Sequence, residues 1–271
     1  KNGFDRKLSS GVVIVGGGPA GLAAAIRLKQ LATEQGKEIS VVVLEKGAEI
    51  GSHILSGAVI DPVGLDKLLP DWRNQGSPLT TQVSEDRFYY LWKSGGIRIP
   101  NIFMPPLMNN HGCYTGSLGA LCRWLSEQAE ALGVEIYPGI SVTEAIVGEN
   151  GAIEGVITGD MGVAKDGSHK DSDTPGIALS GKYTLLAEGA RGSLTKQLIR
   201  KFGLDTKSGP QKYGIGLKEL WEIPAAKHKP GFVQHTMGWP LEDRTGGGSF
   251  LYHFGENLVS VGFVVHLDYA N

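Results

Sequence analysis

The 271 residues carry 26 Lys and Arg against 28 Asp and Glu, a formal net charge of -2, and 41% of the chain is hydrophobic. This balance is typical of a folded protein and argues against a disordered or fibrous chain. Nucleic-acid binding is not expected, because it normally requires a basic face that displaces counterions. The two cysteines, Cys113 and Cys122, lack ligand spacing, so we expect no metal site or iron-sulfur cluster in this chain.

The chain opens with the pattern of a strand, a helix and a second strand. Residues 11–15 form a short apolar run that suits a strand buried on both faces, and residues 39–44 form another. Between them, residues 19–31 are rich in Ala and Leu and predict a helix. Such a unit predicts two parallel strands joined by a right-handed crossover.

A glycine motif lies where the first strand passes into the helix. Gly16, Gly18 and Gly21 match G-x-G-x-x-G, and Pro19 and Ala20 occupy the first helical turn. In this context the first glycine allows a tight turn, the second admits a pyrophosphate, and the third lets helix and strand pack closely. The helix N-terminus would stabilise the phosphates through its unpaired N–H groups. We therefore predict a dinucleotide site.

The second strand ends in an acid, Glu45, followed by Lys46. A carboxylate at this position accepts hydrogen bonds from the adenosine ribose hydroxyls and repels a 2'-phosphate. The motif therefore disfavours NADP but does not by itself separate FAD from NAD.

The middle of the chain predicts mixed elements. An apolar stripe over residues 118–132 predicts an amphipathic helix. Two strands, at 142–147 and 153–157, flank the turn dipeptide Asn150-Gly151 and predict an antiparallel hairpin. The polar stretch 159–176 predicts an exposed loop.

The last part of the chain predicts more strands. One covers residues 182–187. The segment from Leu185 to Ser193 ends in small residues and resembles a segment of FAD-dependent families, in which small side chains let the backbone lie beside the cofactor, and this resemblance favours FAD. Successive runs at 213–220, 250–254 and 258–265 predict an antiparallel second domain. The fold class is thus α/β, a Rossmann-like FAD-binding domain with a parallel central sheet and an antiparallel appendage, followed by antiparallel strands.

Longer stretches of the sequence resemble the electron transfer flavoprotein-ubiquinone oxidoreductase family. The strings that carry this resemblance are His53 to Ala58 with Asp61-Pro62, Pro70-Asp71-Trp72, Met108 to Gly112, Glu127 to Glu135, Tyr213 to Trp221, Gly238 to Leu241, and Gly247 to His253. The resemblance runs from about Gly11 to Tyr269. It implies an FAD-binding domain at residues 1–79 and 108–205, and part of a quinone domain at 80–107 and 206–271.

The resemblance also implies an activity. In that family FAD receives electrons from a soluble electron transfer flavoprotein, and an iron-sulfur cluster takes part in passing them to ubiquinone. No conventional catalytic residue is expected, since the flavin carries the redox step. The family's cluster cysteines lie in a C-terminal region that this chain lacks, so the chain resembles a fragment, and turnover by it alone is not expected.

Site residues follow from the same resemblance. The residues expected to hold FAD are Gly16, Gly18, Pro19, Ala20, Gly21, Glu45, Lys46, His53, Leu55, Ser56, Gly57, Ala58, Glu188, Gly189 and Ala190. Of these, the segment from His53 to Ala58 corresponds to one that passes near the flavin. Gly247 and Gly248 correspond to a pair whose backbone binds a quinone carbonyl, and bare backbone can approach a flat ring closely.

Two apolar segments are candidates for membrane contact. Ile50–Asp71 resembles a region of that family that dips into the bilayer, and the apolar run Ile102–Met108 could add to that surface. The alternative is that both are ordinary buried core. The resemblance implies peripheral attachment to the bacterial cytoplasmic membrane or to the matrix side of the mitochondrial inner membrane.

Other functions share the glycine motif. A flavin hydroxylase or a geranylgeranyl-type reductase would use a different substrate face on the same scaffold, although Ser117 stands where many hydroxylases have Arg. A third possibility is a fragment that binds FAD without turnover of its own.

Overall fold

The computed structural model describes residues 7–55, 57–163, 169–241 and 245–268. The chain forms two compact units, Lys1–His53 with Cys122–Ser208 and Ile54–Leu121 with Gly209–Asn271. Each unit therefore combines two separated parts of the chain.

In chain order, the helices and strands are β1 (Lys7–Val15), α1 (Pro19–Glu34), β2 (Val41–Glu45), β3 (Ala58–Ile60), α2 (Val63–Leu68), β4 (Thr81–Gln82), β5 (Glu85–Trp92), β6 (Gly95–Ile99), β7 (Tyr114–Gly116), α3 (Leu118–Ala131), β8 (Glu135–Pro138), β9 (Val142–Val147), β10 (Ile153–Thr158), β11 (Met161–Val163), β12 (His169–Thr174), β13 (Ala178–Leu186), α4 (Ser193–Phe202), β14 (Gly214–Glu222), β15 (Phe232–Gly238), β16 (Gly247–Phe254) and β17 (Leu258–His266).

The first unit is built on a six-stranded sheet in the order β8-β2-β1-β13-β10-β9. The first four of these strands run parallel, whereas β10 is antiparallel to both β13 and β9. The predicted parallel sheet and antiparallel appendage are thereby confirmed.

Helices cover both faces of this sheet. Residues 12–15 of β1 are all buried, as expected for a strand with no solvent-facing side. Side chains from α4, Leu194 and Leu198, join the core of Val13 and Val15. Leu22 and Ile26 of α1 are fully buried as well. The apolar run of β1 is thus explained by helix packing on two sides.

One predicted element is wrong. The stretch 159–176 was expected to be an exposed loop, but within its described residues β11 and β12 pair antiparallel, with Met161 opposite Thr174. Polar strands of this kind carry no apolar period, so the pattern could not distinguish them from a loop.

The second unit contains a six-stranded sheet in the order β14-β17-β16-β15-β5-β6. All neighbours are antiparallel except β15 and β5, which are parallel. A smaller sheet has the order β3-β7-β4. The antiparallel strands predicted after residue 213 are present, and β5, β6 and β15 join them.

The register of the larger sheet places one set of side chains on a common face. Gly262 on β17 pairs with Lys218 on one side and with Phe250 on the other. The side chains of Tyr252 on β16 and His235 on β15 lie on the same side of the sheet as those of Lys218 and Phe250. We call this the Lys218 face.

The predicted domains are defined by the ligand that each would bind, FAD or quinone, and this division stays a prediction. Packing groups the residues differently, because 54–79 and 108–121 belong to the second unit.

Candidate cofactor site

The glycine motif forms an open turn between β1 and α1. Gly16 has φ +111°, and a Cβ there would lie 2.3 Å from the carbonyl oxygen of Ala187. A Cβ on Gly21 would lie 2.0 Å from the oxygen of Gly16. Around Gly18, in contrast, no atom lies within 4 Å of the Cβ position. Two glycines are therefore required by packing, and the third faces free space where a phosphate can approach.

The helix that follows this turn has an accessible N-terminus. Pro19 and Ala20 are exposed, and the cap residue Gly18 provides no side-chain hydrogen bond to the first turn. The leading N–H groups of α1 can therefore serve an anion.

Glu45 lies at the end of β2 beside the same turn. Its Oε2 accepts a hydrogen bond from the N–H of Gly17 at 2.8 Å, and its Oε1 accepts one from Gly47 at 2.7 Å. The carboxylate thus ties the glycine turn to the loop after β2, while Lys46 next to it is exposed. This bracing role adds to the predicted ribose contact, because each carboxylate oxygen can accept a second hydrogen bond.

The segment after β13 runs beside the glycine turn. The N–H of Ala187 donates to the oxygen of Val15 at 2.8 Å, which continues the parallel pairing of β1 and β13. Gly189 has φ +79° with open space around its Cβ position, and Ala190 is exposed. The structure therefore brings residues 187–190 next to the motif at 16–21.

Glu188 has a role that the sequence did not indicate. Its carboxylate accepts hydrogen bonds from the N–H groups of Leu194, at 3.1 Å, and Thr195, at 2.7 Å. The hydroxyl of Thr195 also donates to it. Glu188 therefore caps α4, where a negative charge complements the helix dipole. Residues 188–190 can meet a cofactor through their backbone.

The predicted flavin segment, 53–58, is divided between the two units, with His53 in the first and Leu55, Gly57 and Ala58 in the second. His53 and Leu55 are exposed, and Ser56 lies outside the described residues. Gly57 has φ +96°, and a Cβ there would lie 2.3 Å from Cβ of Ser260. Only glycine fits this position.

The two predicted quinone residues begin β16. Gly247 and Gly248 have φ of +140° and +150°, and Cβ atoms would lie 2.1 Å from the oxygen of Val264 and 2.0 Å from that of Thr236. Neighbouring strands on either side thus require glycine here. Both glycines are half-buried, and quinone contact remains a prediction.

Three polar side chains on the Lys218 face were not singled out from the sequence. Nε2 of His235 lies 2.7 Å from the hydroxyl of Tyr252. Burial lowers the pKa of His235, and the negative charge of Asp86 partly offsets this shift. Burial raises the pKa of Tyr252 to about 12. Burial also lowers the pKa of Lys218. The only signal available was the alternation that puts every second residue of a strand on one face.

The two segments predicted to contact a membrane differ in exposure. Within Ile50–Asp71, Leu55 and Val63 are exposed, but Ile50 and Leu65 are buried. Within 102–108, Ile102, Phe103 and Leu107 are 85%, 77% and 99% exposed. The second segment therefore presents the larger apolar surface. None of the helices in the described part of the chain has the length and apolar character to cross a bilayer.

Family models match both ends of the chain. Residues 14–72 match a model described as an NAD(P)-binding Rossmann-like domain, which includes the glycine turn and Glu45. Residues 213–271 match a model described as ETF-QO, ubiquinone-binding.

Solved structures with low sequence identity share the fold. One is a geranylgeranyl bacteriochlorophyll reductase-like protein from Thermoplasma acidophilum, with a TM-score of 0.66, 18% identity, and coverage of 96% of this chain and 57% of the other. Another is a flavoprotein/dehydrogenase from Cytophaga hutchinsonii, with a TM-score of 0.61, 18% identity, and coverage of 97% and 58%. They support the fold class.

Much higher identity links the chain to curated proteins. It is 56% identical to the electron transfer flavoprotein-ubiquinone oxidoreductase of Pseudomonas aeruginosa, covering 96% of this chain and 48% of that protein. The mitochondrial proteins of Mus musculus and Dictyostelium discoideum are 56% and 53% identical, again over 96% of this chain and 42% of theirs. The chain thus spans somewhat less than half the length of these relatives. Across almost all of its own length, it is a relative of the electron transfer flavoprotein-ubiquinone oxidoreductases.

Proposed function

We propose that this chain supplies the FAD site and part of the quinone site of a protein that transfers electrons from reduced electron transfer flavoprotein to ubiquinone at a membrane surface. The observation that carries the proposal is the open glycine turn at Gly18, braced by Glu45, within a chain 56% identical over 262 residues to such an oxidoreductase.

FAD binding is supported by how the first unit is built. The turn at Gly16 to Gly21 and the segment after β13 lie side by side, and both Gly18 and Gly189 have open space at the Cβ position. The pyrophosphate would bind at the N-terminus of α1, and Glu45 would receive the ribose hydroxyls. When bound, FAD would supply the electron-carrying chemistry, and the chain would orient it and limit its access to water.

Ubiquinone binding is supported by the match of residues 213–271 to a ubiquinone-binding family model. Gly247 and Gly248 lie in this region and present backbone without side chains. A flat quinone ring can approach such a surface closely. Ubiquinone is the acceptor that we propose, and electron transfer flavoprotein is the donor.

Membrane contact is supported by the exposed apolar side chains of residues 102–108. Transfer of Phe or Leu side chains from water to an apolar phase is favourable by about 1.5 to 3 kcal/mol each. Ile102, Phe103 and Leu107 together could therefore hold a peripheral protein at a bilayer, where ubiquinone is dissolved.

The proposal is tested by purifying the 271-residue chain, adding FAD, and recording the visible spectrum after gel filtration. A yellow protein with an equimolar flavin content is the expected result. Reduced electron transfer flavoprotein and a short-chain ubiquinone are then added, with the corresponding longer protein from Pseudomonas aeruginosa as the positive control. Quinone-dependent oxidation of the donor would support the full activity.

Two other outcomes have a definite meaning. A chain that retains FAD but oxidises no donor would be a cofactor-binding part that needs the remainder of the longer protein for turnover. A folded chain that retains no FAD would contradict the proposed function.

A further inference from the structure

The larger sheet of the second unit has two faces with different surroundings. The Lys218 face is covered from within the unit: Nζ of Lys218 donates hydrogen bonds to the carbonyl oxygens of Leu55, at 3.1 Å, and Gly57. Ser260 on the same face is fully buried. We call the opposite side the open face. On β14 and β17 it carries Ile215, Leu217, Glu219, Trp221, Val259, Val261, Phe263 and Val265.

The alternation of residues along β17 is that of a strand whose open face is buried. Positions 259, 261, 263 and 265 on this face are Val, Val, Phe and Val, whereas positions 260, 262 and 264 on the Lys218 face are Ser, Gly and Val. In an antiparallel sheet the more apolar set of alternating residues normally packs against another layer of the fold. The sequence therefore predicts a layer on the open face.

The open face is nevertheless exposed along β14. Ile215, Leu217 and Trp221 are 57%, 76% and 56% exposed. A depression of about 410 Å³ lies between Trp221, Leu251 and Val261, and it is large enough to receive apolar side chains. Exposed apolar patches of this kind mark surfaces on which another element packs, because leaving them in water is unfavourable.

The apolar patch also contains an acid. Glu219 is exposed between Leu217 and Trp221, and its Oε2 accepts a hydrogen bond from Nε1 of Trp221 at 2.8 Å. A carboxylate has capacity for further donors, and a charged donor gives the stronger bond. A segment that fits the open face would therefore present an apolar stripe together with a Lys or Arg directed at Glu219.

The longer relatives contain enough additional sequence to supply such a segment. The match to the Pseudomonas aeruginosa protein covers 48% of that protein, so more than half of it has no counterpart in these 271 residues. Residues 213–271, which include β14, β16 and β17, match a family model of these proteins, so the same strands occur in the longer chains. A sheet with an apolar face is stable when a second layer buries that face.

We propose that an amphipathic segment of the longer protein, outside residues 1–271, packs on the open face. Its apolar side chains fill the depression beside Trp221, and a basic side chain pairs with Glu219. This inference shares with the proposed function the premise that the chain is part of a longer protein, but it requires neither FAD nor quinone.

The accessibility of an introduced cysteine tests the proposal. Leu217→Cys is made in the 271-residue chain and in a longer chain, in which these residues are joined to the remainder of the Pseudomonas aeruginosa protein. The matched control is Ile97→Cys, on the Lys218 face of β6 in the same sheet, where the parent residue is 59% exposed. The rate of reaction with a maleimide is measured for each protein. The unsubstituted proteins give the background from Cys113 and Cys122.

The expected result is protection in the longer chain. Leu217→Cys should react at least about tenfold more slowly there than in the 271-residue chain, because a covered thiol reacts only when the segment opens. Ile97→Cys should react at similar rates in both. Oxidation of Trp221 by hydroxyl radicals, measured by mass spectrometry in the unsubstituted proteins, should fall in parallel. This second measurement decides the question if the longer Leu217→Cys chain does not fold.

Three outcomes would overturn the proposal. One is equal reaction of Leu217→Cys in the two chains, with equal oxidation of Trp221. Protection in the 271-residue chain that grows with its concentration would assign the open face to a second copy. Protection that requires phosphatidylcholine vesicles would assign it to a membrane. Because no measurement uses FAD or quinone, protection in a longer chain that binds no FAD would contradict only the proposed function.

Discussion

The hydroxyl of Tyr252 lies 2.7 Å from Nε2 of His235, on adjacent antiparallel strands of the second unit. Burial lowers the pKa of His235 below its usual 6.5. In the unfolded chain this imidazole takes up a proton first as the pH falls, so its protonation favours unfolding. The contribution of neutral His235 to stability is thus fully present above about pH 6.5 and is lost progressively below it.

We therefore expect acid sensitivity that depends on this histidine. The free energy of unfolding, measured in urea at several pH values between about 7.5 and 5, should fall as the pH is lowered. In His235→Gln this dependence should become shallower, though not flat, because burial also lowers the pKa of His253. Tyr252→Phe is the control: it should cost about 1 kcal/mol for the lost hydrogen bond and keep the slope. An unaltered slope in His235→Gln would contradict this account.

Two glycines of the same motif should respond differently to alanine. In Gly18→Ala the added methyl meets nothing within 4 Å, and the backbone angles of φ -82° and ψ -177° suit alanine. Stability should therefore change by less than about 0.5 kcal/mol, while FAD affinity falls because the methyl occupies the phosphate position.

Gly21→Ala provides the contrast. Its methyl would lie 2.0 Å from the oxygen of Gly16, so the fold itself should be destabilised. Thermal unfolding and FAD titration of both variants check the pair. Normal FAD binding by folded Gly18→Ala would show that the phosphate does not approach this position.

Glu188→Ala should destabilise the first unit through α4. The carboxylate accepts two backbone hydrogen bonds at the start of that helix, and loss of a cap costs roughly 0.5 to 2 kcal/mol. Urea unfolding measures the change, with Glu149→Ala, in an exposed turn, as the control. Equal stability of the two variants would mean that the cap contributes nothing.

Phe103→Asp and Leu107→Asp should each weaken binding to phosphatidylcholine vesicles about tenfold. Loss of one inserted apolar side chain forfeits about 1.5 to 3 kcal/mol, and 1.4 kcal/mol corresponds to a factor of ten. Leu204→Asp, at an exposed position of the other unit, should have no effect. Flotation assays give the bound fraction. Equal binding by all three variants would exclude residues 102–108 as the contact surface.

The sequence predicted the first unit well because its signals are local. The helix over 19–31 and the strands at 11–15 and 39–44 correspond to α1, β1 and β2, with ends that differ by a few residues. The hairpin around Asn150-Gly151 is also present as β9 and β10. Buried apolar runs and turn glycines are direct consequences of packing, so they can be recognised without knowledge of the partners.

Other features depend on residues distant in sequence and could not be predicted this way. Glu188 caps a helix that has no Ser, Thr, Asp or Asn at its N-cap position, which is Gly192. Lys218 reaches carbonyls more than 160 residues away. β5 and β6 have mixed polarity, and only the pairing of β5 with β15 defines them as part of a large sheet.

That parallel pairing of β5 with β15 joins residues 85–91 to residues 232–238. A nascent chain released or cleaved before Phe232 would leave β5 and β6 as an isolated hairpin, which is only marginally stable in water and exposes an unpaired strand edge. The larger sheet of the second unit can therefore form only after residues 232–238 have been synthesised, and folding that waits for such distant partners is slow. Until then, the open edge of β5 can pair with strands of other chains.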